Sequence, residues 1–234
     1  MRLLALGDSH GCTIAFDKLM QMVRLQPDDH LVSLGDYVDR GPDSKGMIDR
    51  LLAIHGRGQL VALRGNHDQM MLEACKGYLE KREWELCGGT TTLASYDGNA
   101  GNWIENIPKE HWSFIEEVCI DWYETDSHFF VHANVDPALP LSDQPLYMLH
   151  WEKLLESKPH VSGKIMICGH TPQKDGKPLN LGHAICIDTW VYGAGWLTCL
   201  DVESGRYWQA NQQGEGRTGK LEAPVSIELE DANE

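Results

Sequence analysis

The stretch Gly-Asp-Tyr-Val-Asp-Arg-Gly, residues 35–41, puts two carboxylates, Asp36 and Asp39, and a guanidinium, Arg40, into one short segment between glycines. Glycine and aspartate form turns for conformational reasons alone, so this segment by itself decides little. Its type recurs along the chain. Gly7-Asp8-Ser9-His10-Gly11, Arg64-Gly65-Asn66-His67-Asp68, His132-Ala133-Asn134 and Gly169-His170-Thr171 each follow an apolar run and each deliver Asp, His or Asn. Carboxylate, imidazole and amide oxygen are the donors that hard-to-borderline divalent cations take. Asp8 and His10 are two apart and can turn onto one ion. Asp36 has two oxygens and can bridge a pair, and Asn66, His132 and His170 complete a second site. The neutral amide of Asn66 limits the negative charge gathered there. Two ions about 3.5–4 Å apart clamp the attacking and leaving oxygens of an in-line displacement and acidify the water between them. The chemistry these residues fit is metal-assisted hydrolysis of a phosphate ester.

Something must carry five such segments to one place. The runs RLLAL (2–6), HLVSL (30–34), QLVAL (59–63), HFFVH (128–132) and KIMIC (164–168) read as strands, and each ends at one of the segments. In the first half, helical periodicity fills the gaps. Phe16, Leu19, Met20 and Val23 share one face, as do Met47, Ile48, Leu51 and Leu52, with Asp43 or Ser44 as a cap. A third helix is predicted over about 68–79. Strand-helix-strand units of this kind imply a right-handed, largely parallel sheet, and ligands bind outside the carboxyl ends of such strands. Residues 80–110 read as less regular, followed by a short helix over about 110–118. The second half holds more strands, AICID (184–188), WLTCLDV (196–202) and RYWQA (206–210), and one helix over 146–156.

Taken together, GDSHG (7–11), GDYVDRG (35–41) and GNHD (65–68), with the later VHA and GHT, resemble the phosphoprotein phosphatase family of calcineurin-like metallophosphoesterases, in its bacterial and phage branch. The likeness covers roughly residues 2–202. It implies an α/β fold, a four-layer αββα sandwich with a dinuclear site at the strand C-terminal ends. It also implies roles. Asp8, His10, Asp36, Asn66, His132 and His170 would be the metal ligands, with Asp36 bridging. Asp39 would orient His67, and His67 would protonate the departing oxygen, since a carboxylate partner raises an imidazole's pKa. Arg40 would hold phosphate through its planar fork. Two divalent ions per chain are implied, manganese by preference with iron or zinc as alternatives. The implied activity is a serine/threonine protein phosphatase using a metal-bridging hydroxide as nucleophile. A diadenosine-tetraphosphate hydrolase or related nucleotide phosphohydrolase shares the three signatures and stays open, as does a binding module with a decayed site.

Two departures stand out. Many family members carry a second phosphate-binding arginine between the VH and GH segments, whereas PLYMLHWEKLLESKP here has no arginine and offers His150, Trp151 and Lys153. Trp190 follows Ile187-Asp188-Thr189 where glycine is common, and Trp190, Tyr192 and Trp196 are candidates for an aromatic rim. Arg64 is assigned either to phosphate or to a structural bond.

Composition limits the partners. With 35 acidic against 20 basic residues, the 234-residue chain has a net charge of −15 and no basic stripe, which argues against nucleic acid. No apolar run approaches the ~20 residues that span a bilayer, and the first residues are too short in apolar character for a signal peptide. Seven scattered cysteines without a Cys-x-x-Cys pair fit a reducing compartment. A cytoplasmic protein acting on a phosphorylated protein or a small phosphoester is expected. One catalytic domain over 1–210 and a polar, acidic tail over 211–234 complete the reading; the oligomeric state is left open.

Overall fold

The computed structural model describes residues 1–97, 103–155 and 157–225. Among the described residues, eleven strands form two sheets. The first contains β1 (Leu3–Leu6), β2 (His30–Ser33), β3 (Leu60–Ala62), β9 (Leu197–Asp201), β10 (Arg206–Ala210) and β11 (Gly216–Lys220), in the order β11-β10-β9-β1-β2-β3. The second contains β4 (Trp122–Glu124), β5 (His128–Val131), β6 (Ile165–Cys168), β7 (Leu179–Asn180) and β8 (Ala184–Cys186), in the order β4-β5-β6-β8-β7. β1, β2 and β3 run parallel, as do β5, β6 and β8, so six carboxyl ends are available in two parallel sets. Helices α1 (Thr13–Val23) and α2 (Ser44–His55) are the crossovers of the first set.

Alternation along the strands builds the layers. Side chains on a strand point to opposite faces with period two. Leu4 and Leu6 join Phe16, Leu19, Met47, Ile48 and Leu51 in a core beneath α1 and α2. Ala5, between them, faces the other way and packs with Val32, Phe130, Ile167, Ile185 and Leu200, a core drawn from both sheets. On the far side, Phe129, Val131, Met166 and Cys168 pack with Leu141, Leu149 and Leu154. The order is therefore helices, sheet, sheet, helices: the four-layer αββα architecture. The fourth layer is thin, supplied by a three-ten turn at Leu141–Asp143 and a one-turn helix at Leu146–His150.

Several elements differ from expectation. The third helix begins earlier, as α3 (Asn66–Glu73), and gives way to a three-ten turn before α4 (Tyr78–Trp84). Residues 80–95 are more helical than expected: α4 runs through a wide turn at Glu85–Gly89 into α5 (Thr90–Ser95). The helix expected over 146–156 stops at His150, because the chain turns to serve its neighbours. The Trp151 carbonyl accepts from His170 Nε2 at 3.0 Å, and the Leu154 amide donates to Thr171 Oγ1 at 3.0 Å; Glu156 lies outside the described residues. Residues 211–225, expected as tail, are instead bonded into the fold. β11 pairs with β10 along five residues, and the Val225 amide donates to the Asn180 carbonyl. Gly-Arg-Thr-Gly-Lys is an exposed edge strand without an apolar face, so no alternation announces it. The expected acidic end, residues 226–234, lies outside the described residues.

Candidate active site

The loops after β1, β2, β3, β5 and β6 meet. The amides of Ser9 and His10 donate to the Asp36 carbonyl, at 3.2 and 2.8 Å. The His67 amide donates to Asp36 Oδ1 at 3.0 Å, and the His170 amide to Asp8 Oδ2 at 2.9 Å. Two glycines make this convergence feasible. A Cβ at Gly65 would collide with the Asp36 carboxylate, and one at Gly169 with that of Asp8. Asp68 secures the second loop by accepting from the amides of Gly65, Asp36 and Tyr37, at 2.9, 2.8 and 3.0 Å.

Backbone carbonyls fix the imidazole tautomers. His10 Nδ1 donates to the Val38 carbonyl and His132 Nδ1 to that of Leu34, each at 2.8 Å, while His170 Nε2 donates to Trp151. Burial holds His10 and His132 down at about 3 and lowers His170, so the rings are neutral. The second nitrogen of each ring then presents a lone pair. His10 Nε2 lies 3.5 Å from Asp36 Oδ2, and His132 Nε2 lies 3.5 Å from Asp36 Oδ1. Asn66 Oδ1 sits 3.0 Å from His132 Nε2 and 2.9 Å from His170 Nδ1. Lone pairs that face lone pairs in a buried space repel, and a cation between them reverses the sign.

Two sets of donor atoms lie within 4.8 Å of one another, His10–Asp36–His67 and Asp36–His132–His170. They share Asp36. Asp8 is outside both sets, yet its Oδ1 is buried without a hydrogen-bond partner. Burial, then the charges of Asp188 and Asp36, push its carboxyl well above the usual range. Burial also acts to raise Asp36, but His132, His67 and His10 outweigh it and hold that carboxyl low. Shared carboxylate, oriented lone pairs and an orphaned carboxylate oxygen are together a donor arrangement that fits two divalent cations.

His67 differs from the other site histidines. Its Nδ1 donates to Asp39 Oδ2 at 2.7 Å. Trp84 Nε1 and Thr92 Oγ1 donate to the same carboxylate, at 2.9 and 2.7 Å, so α4 and α5 exist in part to fix it. Burial acts to lower His67, but Asp36 and Asp39 prevail and raise it. Burial raises Asp39 despite its donors. Trp84 and Thr92 carry no sequence signal, because their partner is remote in the chain.

Arg40 is exposed. Its Nη1 donates to His10 Nε2 at 3.2 Å, and its guanidinium lies 4.4 Å from the centre of the Tyr192 ring. Arg64 is structural: it donates to the carbonyls of Ile115, Glu116 and Cys119. His150 bonds Asp121 at 3.1 Å, and Lys153 is exposed. Of the three aromatics, Tyr192 meets His10 edge-on at 4.7 Å and Trp190 packs beside Tyr192, while Trp196 lies under Arg217. Asp188, seen in the sequence only as part of a matching tripeptide, is buried, accepts from the Trp190 amide at 2.9 Å, and is pushed up to about 7 by burial. A surface hollow of about 600 Å³ between Arg2, Asp201, Arg206, Trp208 and Lys220 contains none of Asp8, His10, Asp36, Asn66, His132 and His170, so chemistry rather than concavity locates the site.

Known proteins share these features. Residues 1–182 match the sequence profile of the calcineurin-like phosphoesterases. Serine/threonine-protein phosphatase 1 of Salmonella typhimurium is 30% identical over 214 residues, covering 84% of this chain and 90% of that protein. The symmetrical bis(5'-nucleosyl)-tetraphosphatase of Methylococcus capsulatus is 29% identical over 140 residues, 59% of this chain but 45% of that protein. Among solved structures, a putative diadenosine tetraphosphatase superposes with a TM-score of 0.64 at 18% identity, covering 94% of this chain and 93% of its own. A cold-active protein-tyrosine phosphatase from a psychrophilic Shewanella gives 0.63 at 17% identity, covering 93% and 80%. At such identities the shared property is the fold.

Proposed function

The chain belongs to the calcineurin-like phosphoesterases and is a phosphatase of the phosphoprotein phosphatase family; from that premise we propose that it removes phosphate from phosphoserine and phosphothreonine in proteins. The observation that carries this reading is the buried His67–Asp39 pair. A serine or threonine alkoxide leaves only with a proton, and His67 has a raised pKa and a second nitrogen free to deliver one. Asp39 holds the ring in register and stabilises its charged form, and is itself held by Trp84 and Thr92. Arg40, exposed beside His10, offers its fork to the phosphate oxygens.

Asp8, His10, Asp36, Asn66, His132 and His170 are the residues that would hold two divalent cations, which when bound supply charge neutralisation of the phosphate and acidify water. Manganese is our first choice, with iron or zinc as alternatives. That all six meet at one place runs against a decayed site. The Salmonella relative, alike over nearly its whole length, favours the protein substrate. A nucleotide polyphosphate is the second reading, favoured by the aromatic rings of Trp190 and Tyr192 at the rim and by the tetraphosphatase relatives, of which the chain matches less than half. No described helix is long and apolar enough to cross a membrane, and all seven thiols are free; we infer cytoplasmic residence from the thiols.

A substrate panel tests the reading. Metal-reconstituted protein should cleave phosphoserine and phosphothreonine peptides with a higher kcat/KM than phosphotyrosine peptides or diadenosine tetraphosphate. Preference for the tetraphosphate would overturn it.

A further inference from the structure

Beyond the reacting groups, three loops, those after β2, β6 and β8, carry an array of alternating cations and rings. Arg40 lies 4.4 Å from the Tyr192 ring, Tyr192 meets Trp190 edge-on at 6.3 Å, and Lys174 Nζ lies 5.3 Å from the Trp190 ring. The loops after β6 and β8 are tied together, since the Gln173 amide donates to the Asp188 carbonyl at 2.8 Å. Neither Arg40 nor Lys174 takes part in the ion pairs found among the described residues. On a chain of net charge −15, cations left unpaired beside the site are informative. No arginine stands between His132 and His170 to receive additional negative charge.

Trp190 adds an independent observation. Its φ is +64°, a conformation that bulky L residues rarely adopt. The amides of Gly193 and Gly195 hold its carbonyl, at 3.1 and 3.2 Å. Glycine would take this conformation without strain. Strain retained at the rim of a reactive site points to a use for the side chain, and what the ring carries is Lys174.

We propose that Lys174, held on Trp190, receives a second anionic group of the substrate while Arg40, held on Tyr192, receives the scissile phosphate. Under the protein-phosphatase reading, on which this rests, that group is the carboxylate of an acidic residue beside the phosphoserine; in a polyphosphate it is another phosphate. Lys174 is thus a specificity residue and Trp190 its positioning residue.

The test measures kcat/KM ratios in the metal-reconstituted wild-type, Lys174→Met and Trp190→Gly proteins. The substrates are a phosphoserine peptide with a neighbouring glutamate, the same peptide with glutamine, diadenosine tetraphosphate and p-nitrophenyl phosphate as reference. Wild-type protein should favour the glutamate peptide about three- to fivefold, the scale of an exposed ion pair. Lys174→Met should abolish the preference. Trp190→Gly should weaken it while keeping or raising Tm, which separates loss of positioning from loss of fold. If the tetraphosphate and the reference are hydrolysed but neither peptide is, and Lys174→Met lowers the ratio of the tetraphosphate to the reference, the protein reading falls and the role of Lys174 as receiver of a second anionic group stands. Ratios untouched by Lys174→Met, on whichever substrate is cleaved, overturn the inference and leave the proposed function intact.

Discussion

The bodies of the strands and their carboxyl ends obey opposite rules. In the bodies, Leu4, Ala5, Leu6, Val32, Phe130 and Ile167 are fully buried and sort by alternation into cores on either side of their sheets. At the ends, the chain buries charge, leaves Asp8 Oδ1 without a partner, and bends its backbone. Among the described residues, eight non-glycines have positive φ; His10, Asp36, Asp39, Arg40, His170 and Trp190 are in or beside the site, and only Arg24 and Asp97 lie elsewhere. Each such residue costs about 1–3 kcal/mol. The difference teaches that stability made in one region is spent in the other, and that the two can be perturbed separately.

The sharpest contrast pairs Asp36→Asn with Phe130→Ala. Asp36→Asn removes the carboxylate that would bridge the two cations and should lower kcat/KM by about a thousandfold or more, while its near-isosteric amide leaves the apolar cores intact, so the metal-free protein should lose less stability than it does with Phe130→Ala. Phe130→Ala should cost about 3–5 kcal/mol of stability by leaving a cavity between the sheets, with turnover per folded molecule largely kept. Chemical denaturation and activity assays on both variants read this out, and a swap of the two phenotypes would break the comparison.

His67→Asn comes next. Loss of the acid should reduce turnover on alkyl phosphates about a hundredfold, and p-nitrophenyl phosphate, whose leaving group needs little protonation, by far less. Equal losses on both would remove His67 from the acid role. The pH profile sharpens the point. Because His67 is raised in the folded protein, its contribution to stability is full below the ordinary imidazole value of about 6.5 and is lost as pH rises through the folded value. Turnover on alkyl phosphates should fall along the same alkaline limb, and His67→Asn should erase that limb. Arg40→Ala should have the smallest effect of these, raising KM for phosphate esters about tenfold with metal content unchanged. Loss of metal in that variant would make Arg40 a structural residue.

The two regions also differed in how far sequence reached them. Asp8, His10, Asp36, Asn66, His67, His132 and His170 were readable as candidates because each follows an apolar run that reads as a strand, and ligand types recurring at five such ends are more than turn chemistry alone asks for. The two-sheet arrangement was supplied by family likeness, since short strands such as Leu179–Asn180 and the polar edge strand Gly216–Lys220 carry no pattern. The partners of Asp39 stayed hidden for another reason. Trp84 and Thr92 lie 45 and 53 residues from it, and only tertiary packing brings them to that carboxylate. The abbreviated helix at Leu146–His150 likewise reflects bonds from Trp151 and Leu154 to the loop of His170, which no local propensity encodes.

Metal content per chain is the most direct measurement of whether two cations share Asp36. Metal-reconstituted wild-type protein, freed of excess ion and analysed by mass spectrometry, should retain about two divalent ions per chain, and Asp36→Asn fewer than about one. Wild-type protein that holds at most a single ion, or an Asp36→Asn protein that still holds both, would contradict the shared-carboxylate site.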